Sequence, residues 1–186
     1  MASSATTYNT TWTTPRTWAA GELVTATIMN SYVRDQQNAL KTPASVYGYL
    51  DEAADYTIAS TTFADVDGSD LAFTFTTGAG ILCCMFLVTP FYSSGTGNAQ
   101  ICFDIKVDGT RYGGDDGITQ AFVTSGSAPL HQSVMVFCAV PVDAGSHEVK
   151  LQWMRYTSSS VTAGLYAGAG TSQHDLHPQI FIWETA

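Results

Sequence analysis

From about residue 55 onward, apolar and polar residues alternate one by one. In "LAFTFTT" at 71–77, Leu71, Phe73 and Phe75 are separated by smaller or polar residues. In "ICFDIKVDG" at 101–109, Ile101, Phe103, Ile105 and Val107 alternate with Cys102, Asp104 and Lys106 before an Asp-Gly pair. A period of two is that of a strand with one face buried, and Asp-Gly behind such a run predicts a hairpin turn. "HEVKLQWMRY" at 147–156 places Val149, Leu151 and Trp153 inward, and "QIFIWE" at 179–184 repeats the pattern near the end. With "YTIAS", "GILCCMFLVTPFY", "ITQAFVT", "SVMVFCAVPV" and "VTAGLYA", about eight to ten strands emerge, separated by Gly, Ser and Asp turns. The predicted fold class is mainly β, an antiparallel β-sandwich with the jelly roll as leading topology.

Ahead of these strands the period changes to that of a helix. Thr25 is a suitable N-cap, Ala26 to Leu40 contains neither Gly nor Pro, and "KTP" at 41–43 supplies a basic last turn and a stop. Ile28, Met29, Tyr32, Val33, Gln36, Ala39 and Leu40 share one side, with Asn30, Arg34, Gln37 and Lys41 largely on the other. About 15 residues is marginal for an isolated helix, so its stripe requires a surface: its own body, another copy or a partner. Nine of the first 17 residues are Ser or Thr, with Tyr8 and Trp12 among them and Trp18 just after. Such a stretch cannot bury enough of itself to fold alone, and it is expected to lie along a partner. The chain thus divides into an extended arm with one short helix, 1–44, and a β-sandwich, 45–186.

Charge separates the same two parts. Residues 1–50 hold three basic and two acidic residues, a net of +1, whereas residues 51–186 hold four basic and fourteen acidic, a net of −10. An acidic body excludes nucleic acid as the expected partner, since phosphate binding needs clustered Lys and Arg. Charged residues are only 12% of the chain, and a surface poor in Lys and Glu but rich in hydroxyls suits large contacts with other protein. The longest apolar run, "GILCCMFLVTPF", is too short to span a bilayer, and "MASSATTYNTTW" lacks the charged and apolar regions of a secretory signal. No membrane partner is expected. Cys83, Cys84, Cys102 and Cys138 all fall inside strand-like runs and are expected to be buried, free thiols of a chain assembled in a reducing cytosol.

Candidate chemistry changes this picture little. No nucleophile-elbow, Walker, Rossmann, HExxH or CxxC motif is present, so no enzyme activity and no cofactor are expected. "HDLH" at 174–177 offers two imidazoles and a carboxylate, but beside Pro178 it reads as a packed turn rather than a metal site. "DVDGSD" at 65–70 and "GGDDG" at 113–117 look like fragments of calcium loops. In the first, Asp70 stands where the loop needs Gly, and both read as solvated acidic turns. Trp153, Trp183, Tyr112, Tyr156 and Tyr166 could stack on sugars; alternation assigns Trp153 to the core and leaves the others unplaced.

Two patches resemble phage virion proteins. "TPRTWAAGELVTATIMNSYVRDQQNAL" at 14–40 is similar to a leader found on phage and prophage structural proteins, with a TPRTW-like start, a GELVTA-like step, then an Asn and an RD inside a helix. "AGSHEVKLQWMRY" at 144–156 and "HPQIFIWE" at 177–184 resemble the final strands of jelly-roll domains of the C1q and tumour-necrosis-factor type in phage fibres and head or tail appendages. The resemblance implies a homotrimer with a structural or adhesive role in a virion assembled in the host cytoplasm. With no visible collagen-like, β-helical or coiled-coil shaft, it implies first a capsid decoration, or cement, protein that binds the major capsid protein or another virion protein. The alternative is a tail-fibre or tail-tip module that binds a host-surface glycan or protein. In either setting the leader is the expected partner-binding segment, through Trp12, Arg16, Trp18, Ile28, Met29, Tyr32 and Val33.

Overall fold

The computed structural model describes residues 16–34, 45–124, 132–156, 160–169 and 175–185. Its strands are Ser45–Tyr49 (β1), Tyr56–Ile58 (β2), Ala64–Asp65 (β3), Ala72–Thr77 (β4), Gly80–Val88 (β5), Pro90–Ser94 (β6) and Asn98–Val107 (β7). They continue with Thr110–Arg111 (β8), Thr119–Thr124 (β9), Val134–Val142 (β10), Gly145–Arg155 (β11), Thr162–Leu165 (β12) and Gln179–Thr185 (β13). One sheet runs β1-β13-β5-β10; the second is built on β11 and β7, with β4 and β3 along β11 and β9 and β8 along β7. Every pairing is antiparallel. Taking the eight main strands in chain order, the sheets read 1-8-3-6 and 2-7-4-5, which is the order of a jelly roll.

The predicted alternation is what fills the space between the sheets. Ile101, Phe103, Ile105 and Val107 of β7 and Val149, Leu151 and Trp153 of β11 are all buried, with Phe103 and Trp153 stacked at 6.4 Å between ring centres. From the first sheet, Leu82, Cys84, Phe86 and Val88 of β5 face them. The Asp108-Gly109 turn between β7 and β8 has φ of 50° and 81°, the left-handed conformation that a two-residue hairpin needs and that Asp and Gly tolerate.

Three features depart from the sequence reading. The run "GILCCMFLVTPFY" is two strands, because after Thr89 the chain leaves β5 and β6 pairs with β12 in a small third sheet with β2. β1 has too short and too Gly-interrupted a pattern to be read as a strand, and it exists because β13 offers it a complete register from Ser45↔Trp183 to Tyr49↔Gln179. The helix expected over 26–40 is one α-helical turn, Ala26–Met29 (α1), followed by a π-wound turn, Asn30–Arg34; residues 35–40 lie outside the described ones. Thr25 does cap it, its Oγ1 accepting from the Ile28 N–H at 3.3 Å. No residue of α1 is buried, so among the described residues little packing reinforces a regular ladder.

Candidate assembly interface

The two sheets turn opposite kinds of surface outward. On the outer face of β1-β13-β5-β10, register aligns whole rows of side chains across all four strands. The central row is Tyr47, Phe181, Met85 and Phe137. Ser45, Trp183, Cys83 and Ala139 lie on one side of it, and Tyr49, Gln179, Leu87 and Met135 on the other. None of these twelve positions is charged. Tyr47 is 64% and Met135 58% exposed, and Tyr49, Leu87, Phe137 and Phe181 are exposed as well. Trp183 is half-buried because two rings lean on it, Phe181 at 4.7 Å and Phe137 at 6.0 Å, both stacked. An open groove of about 550 Å³ runs over Tyr47, Tyr49, Met85 and Phe181. A contiguous apolar face rimmed by polar chain is the usual mark of a protein contact surface.

The second sheet's outer face holds the charge pairs, although Phe122 of β9 is also exposed there. Lys150 and Lys106 stand directly opposite each other, and Asp65 lies between them, 2.6 Å from the Lys106 Nζ and 3.7 Å from that of Lys150. Burial pushes the Asp65 carboxyl up, but hydrogen bonds from Lys106 and Gln152 and the two ammonium charges outweigh it and hold the pKa below the usual carboxylate value. Arg111 donates to Asp104 at 2.7 Å, Lys150 pairs with Glu148 at 2.9 Å, and Arg155 donates to the Val161 carbonyl. The four basic residues of the body are therefore spent within this sheet and its loops. The charge pairs and the three uncharged rows lie on opposite sides of the sandwich.

The leader residues expected to bind a partner are partly brought together. The Arg16 guanidinium lies 5.4 Å from the Trp18 ring centre and 5.6 Å from that of Tyr32, and it pairs with Glu22. Trp18 and Met29 remain exposed at 46% and 44%, while Ile28, Tyr32 and Val33 are half-buried. Trp12 lies outside the described residues. Met29 is thus more exposed than the other described stripe residues. Sequence reasoning missed the sheet face altogether. The signal was present in the residues between the core positions, Met85, Leu87, Met135, Phe137 and Phe181, which are apolar where a solvated strand would carry polar groups.

The other candidates resolve into local structure. Asp67 closes its acidic turn by accepting from the N–H groups of Ser69 and Asp70, each at 2.6 Å. His177 packs edge-on against Tyr49, with its Nδ1 2.6 Å from the Leu50 carbonyl; His174 lies outside the described residues. Among the described residues no group of three or more His, Cys, Asp or Glu could hold a metal ion. Trp153 is in the core, Tyr166 is buried against Phe91, and Tyr112 and Tyr156 are exposed. Cys83, Cys84 and Cys102 are buried and free as expected, whereas Cys138 is free but only half-buried, because β10 is an edge strand.

No protein-family model matches the chain, and no curated protein matches it. Among solved structures, the chain is weakly similar to dimeric latent PorU from Porphyromonas gingivalis (TM-score 0.35, 12% identity, 75% of this chain and 13% of that one). It is similar at the same level to the Eiger TNF of S. frugiperda (TM-score 0.38, 9% identity, 76% and 92%) and to the VP2 subviral particle of infectious bursal disease virus (TM-score 0.37, 12% identity, 76% and 37%). The chain spans about an eighth of the PorU chain and little more than a third of the VP2 chain. Likeness at these scores says nothing of what this chain binds.

Proposed function

We propose that this chain is a structural protein of a tailed-phage virion that decorates and stabilises the head shell, and that it assembles as a homotrimer through the outer face of β1-β13-β5-β10. The observation that carries assembly is that face: three rows of side chains, none charged, on a molecule whose charge pairs stand on the opposite face. Covering it removes aromatic and methionine surface from water at about 25 cal/mol per Å². The resemblance of residues 14–40 and of the last strands to virion proteins supplies the setting and the threefold stoichiometry. The acidic body then stands away from the shell, while the near-neutral leader, with Trp18 exposed, reaches neighbouring subunits. Repetition over many copies turns modest single contacts into firm attachment.

Sedimentation of the isolated protein tests the assembly claim. A trimer at micromolar concentration is the expected result; a dimer would overturn the stoichiometry, and a monomer would overturn the role of the face. Counting copies in purified particles separates head from tail. A copy number matching the capsid lattice supports decoration, and a few copies per particle would move the protein to the tail as an adhesive module.

A further inference from the structure

Cys84 of β5 and Cys138 of β10 are paired residues, directly opposite each other in the ladder that runs from Val134↔Val88 to Val142↔Gly80. Both point inward, since each is flanked at two-residue spacing by core positions, Leu82 and Phe86 on β5 and Val136 and Val140 on β10. Directly opposed residues of an antiparallel pair have Cα atoms about 4.5 or 5.5 Å apart, and both distances lie inside the range of roughly 4.4–6.8 Å that a disulfide spans. The register thus sets the two thiols face to face in one inward row. We propose that Cys84 and Cys138 form a dithiol site that closes to a disulfide when the protein meets a low-molecular-weight disulfide such as oxidised glutathione.

Environment assigns the two roles. Coupling between the two thiols, as hydrogen-bonding neighbours, draws the Cys138 pKa down against the desolvation that opposes it and, with burial, pushes the Cys84 thiol up. Cys138 is also the reachable one, half-buried on an edge strand, whereas Cys84 is fully buried. The Cys138 thiolate attacks one sulfur of oxidised glutathione; a sulfur–sulfur bond forms to Cys138, the glutathione disulfide breaks and one glutathione thiolate leaves. Cys84 then loses its proton to that thiolate and attacks the Cys138 sulfur, expelling the second glutathione. Two protein thiols are oxidised and one glutathione disulfide is reduced to two thiols. Cys83 does not compete, because adjacent strand residues point to opposite faces, and Cys102 belongs to the other sheet. The bond would tie the edge strand β10 to β5 beneath the apolar face without altering any side chain on that face. The site stands independently of the virion reading.

Incubating the full chain with oxidised glutathione, then denaturing it and counting thiols, tests the site. The count should fall from four to two, peptide mass mapping should join Cys84 to Cys138, and the melting temperature should rise and return to its starting value on reduction. Cys83→Ala should still form the bridge. Cys138→Ala should keep every remaining thiol free. Four thiols after oxidation, glutathione left on Cys138 as a stable mixed disulfide, or a bridge that maps to Cys83 would each overturn the proposal.

Discussion

Asp104 occupies a strand position that alternation assigns to solvent, yet it is fully buried. It accepts from the Ile105 and Gly113 N–H groups at 2.7 and 2.8 Å and from the Arg111 Nε at 2.7 Å. Arg111 in turn lies 3.6 Å over the Phe63 ring and donates to the Gly114 carbonyl. Asp104→Ala would leave a guanidinium and two N–H groups without their acceptor and should cost about 3 kcal/mol, read as a lowered urea midpoint at unchanged slope. His147 is the second informative side chain, with Nδ1 2.6 Å from Asp108 and Nε2 2.9 Å from the Asp143 carbonyl. Burial opposes its charge, but the hydrogen bonds and charges of Asp108 and Asp143 prevail and raise its pKa. The Asp108 carboxyl is lowered, chiefly by its hydrogen bond to His147. The imidazolium's contribution is complete below its unfolded pKa of about 6.5 and is lost as pH rises through the higher folded value; the carboxylate's is complete above about 4 and is lost as pH falls through the lower folded value. Stability from this pair should therefore be greatest between about pH 4 and pH 6.5, and His147→Gln should flatten the alkaline limb of melting temperature against pH.

At the level of elements, β1 is the first strand of the sandwich in chain order. Val46 and Leu50 are buried in the core, and β1 forms one edge of the apolar sheet. A chain starting at Ser45 should keep the full-length melting temperature, whereas one starting at Asp51 should lose several kcal/mol, because two core side chains and a strand's pairing go with it. Equal melting temperatures for the two truncations would show that β1 adds nothing to the sandwich. The α1 turn is the opposite case: capped by Thr25 but with no buried residue, it has little tertiary packing among the described residues, and its order should rise against a partner.

For the whole molecule, the decisive property is the difference between its two outer faces. Met85 sits in the middle of the central row, paired with both Phe181 and Phe137. Met85→Lys should convert the assembly to monomer in sedimentation while leaving the fold, followed by circular dichroism, intact; a charge there is buried only in the assembly. An unchanged sedimentation coefficient would count against the face as the interface. Trp18→Ala addresses the leader. If Trp18 is an anchor, attachment to particles lacking the protein should weaken by about 2 kcal/mol or more with no change in the body's melting temperature.

The alternation of Ile101 to Val107 and of Val149 to Trp153, the Asp108-Gly109 turn and the Thr25 cap were all legible in the sequence, because each is set by local sterics and by one side of a strand avoiding water. These local rules were enough to reach an antiparallel sandwich. They could not reveal β1, β3 or β8, whose strand conformation comes from the partners that pair with them, nor the burial of Asp104, which depends on Arg111 folding back over it. The apolar outward residues were in the sequence, but that they form one surface was not legible, for a related reason. Its residues are spread over β1, β5, β10 and β13, and only the register that sets Tyr47, Phe181, Met85 and Phe137 in one row makes them a surface. The same register, and nothing in the spacing of two cysteines some fifty residues apart, set Cys84 directly opposite Cys138. Period along a chain is a local quantity that sequence carries, whereas adjacency across a sheet is settled by which strands pair and in what register.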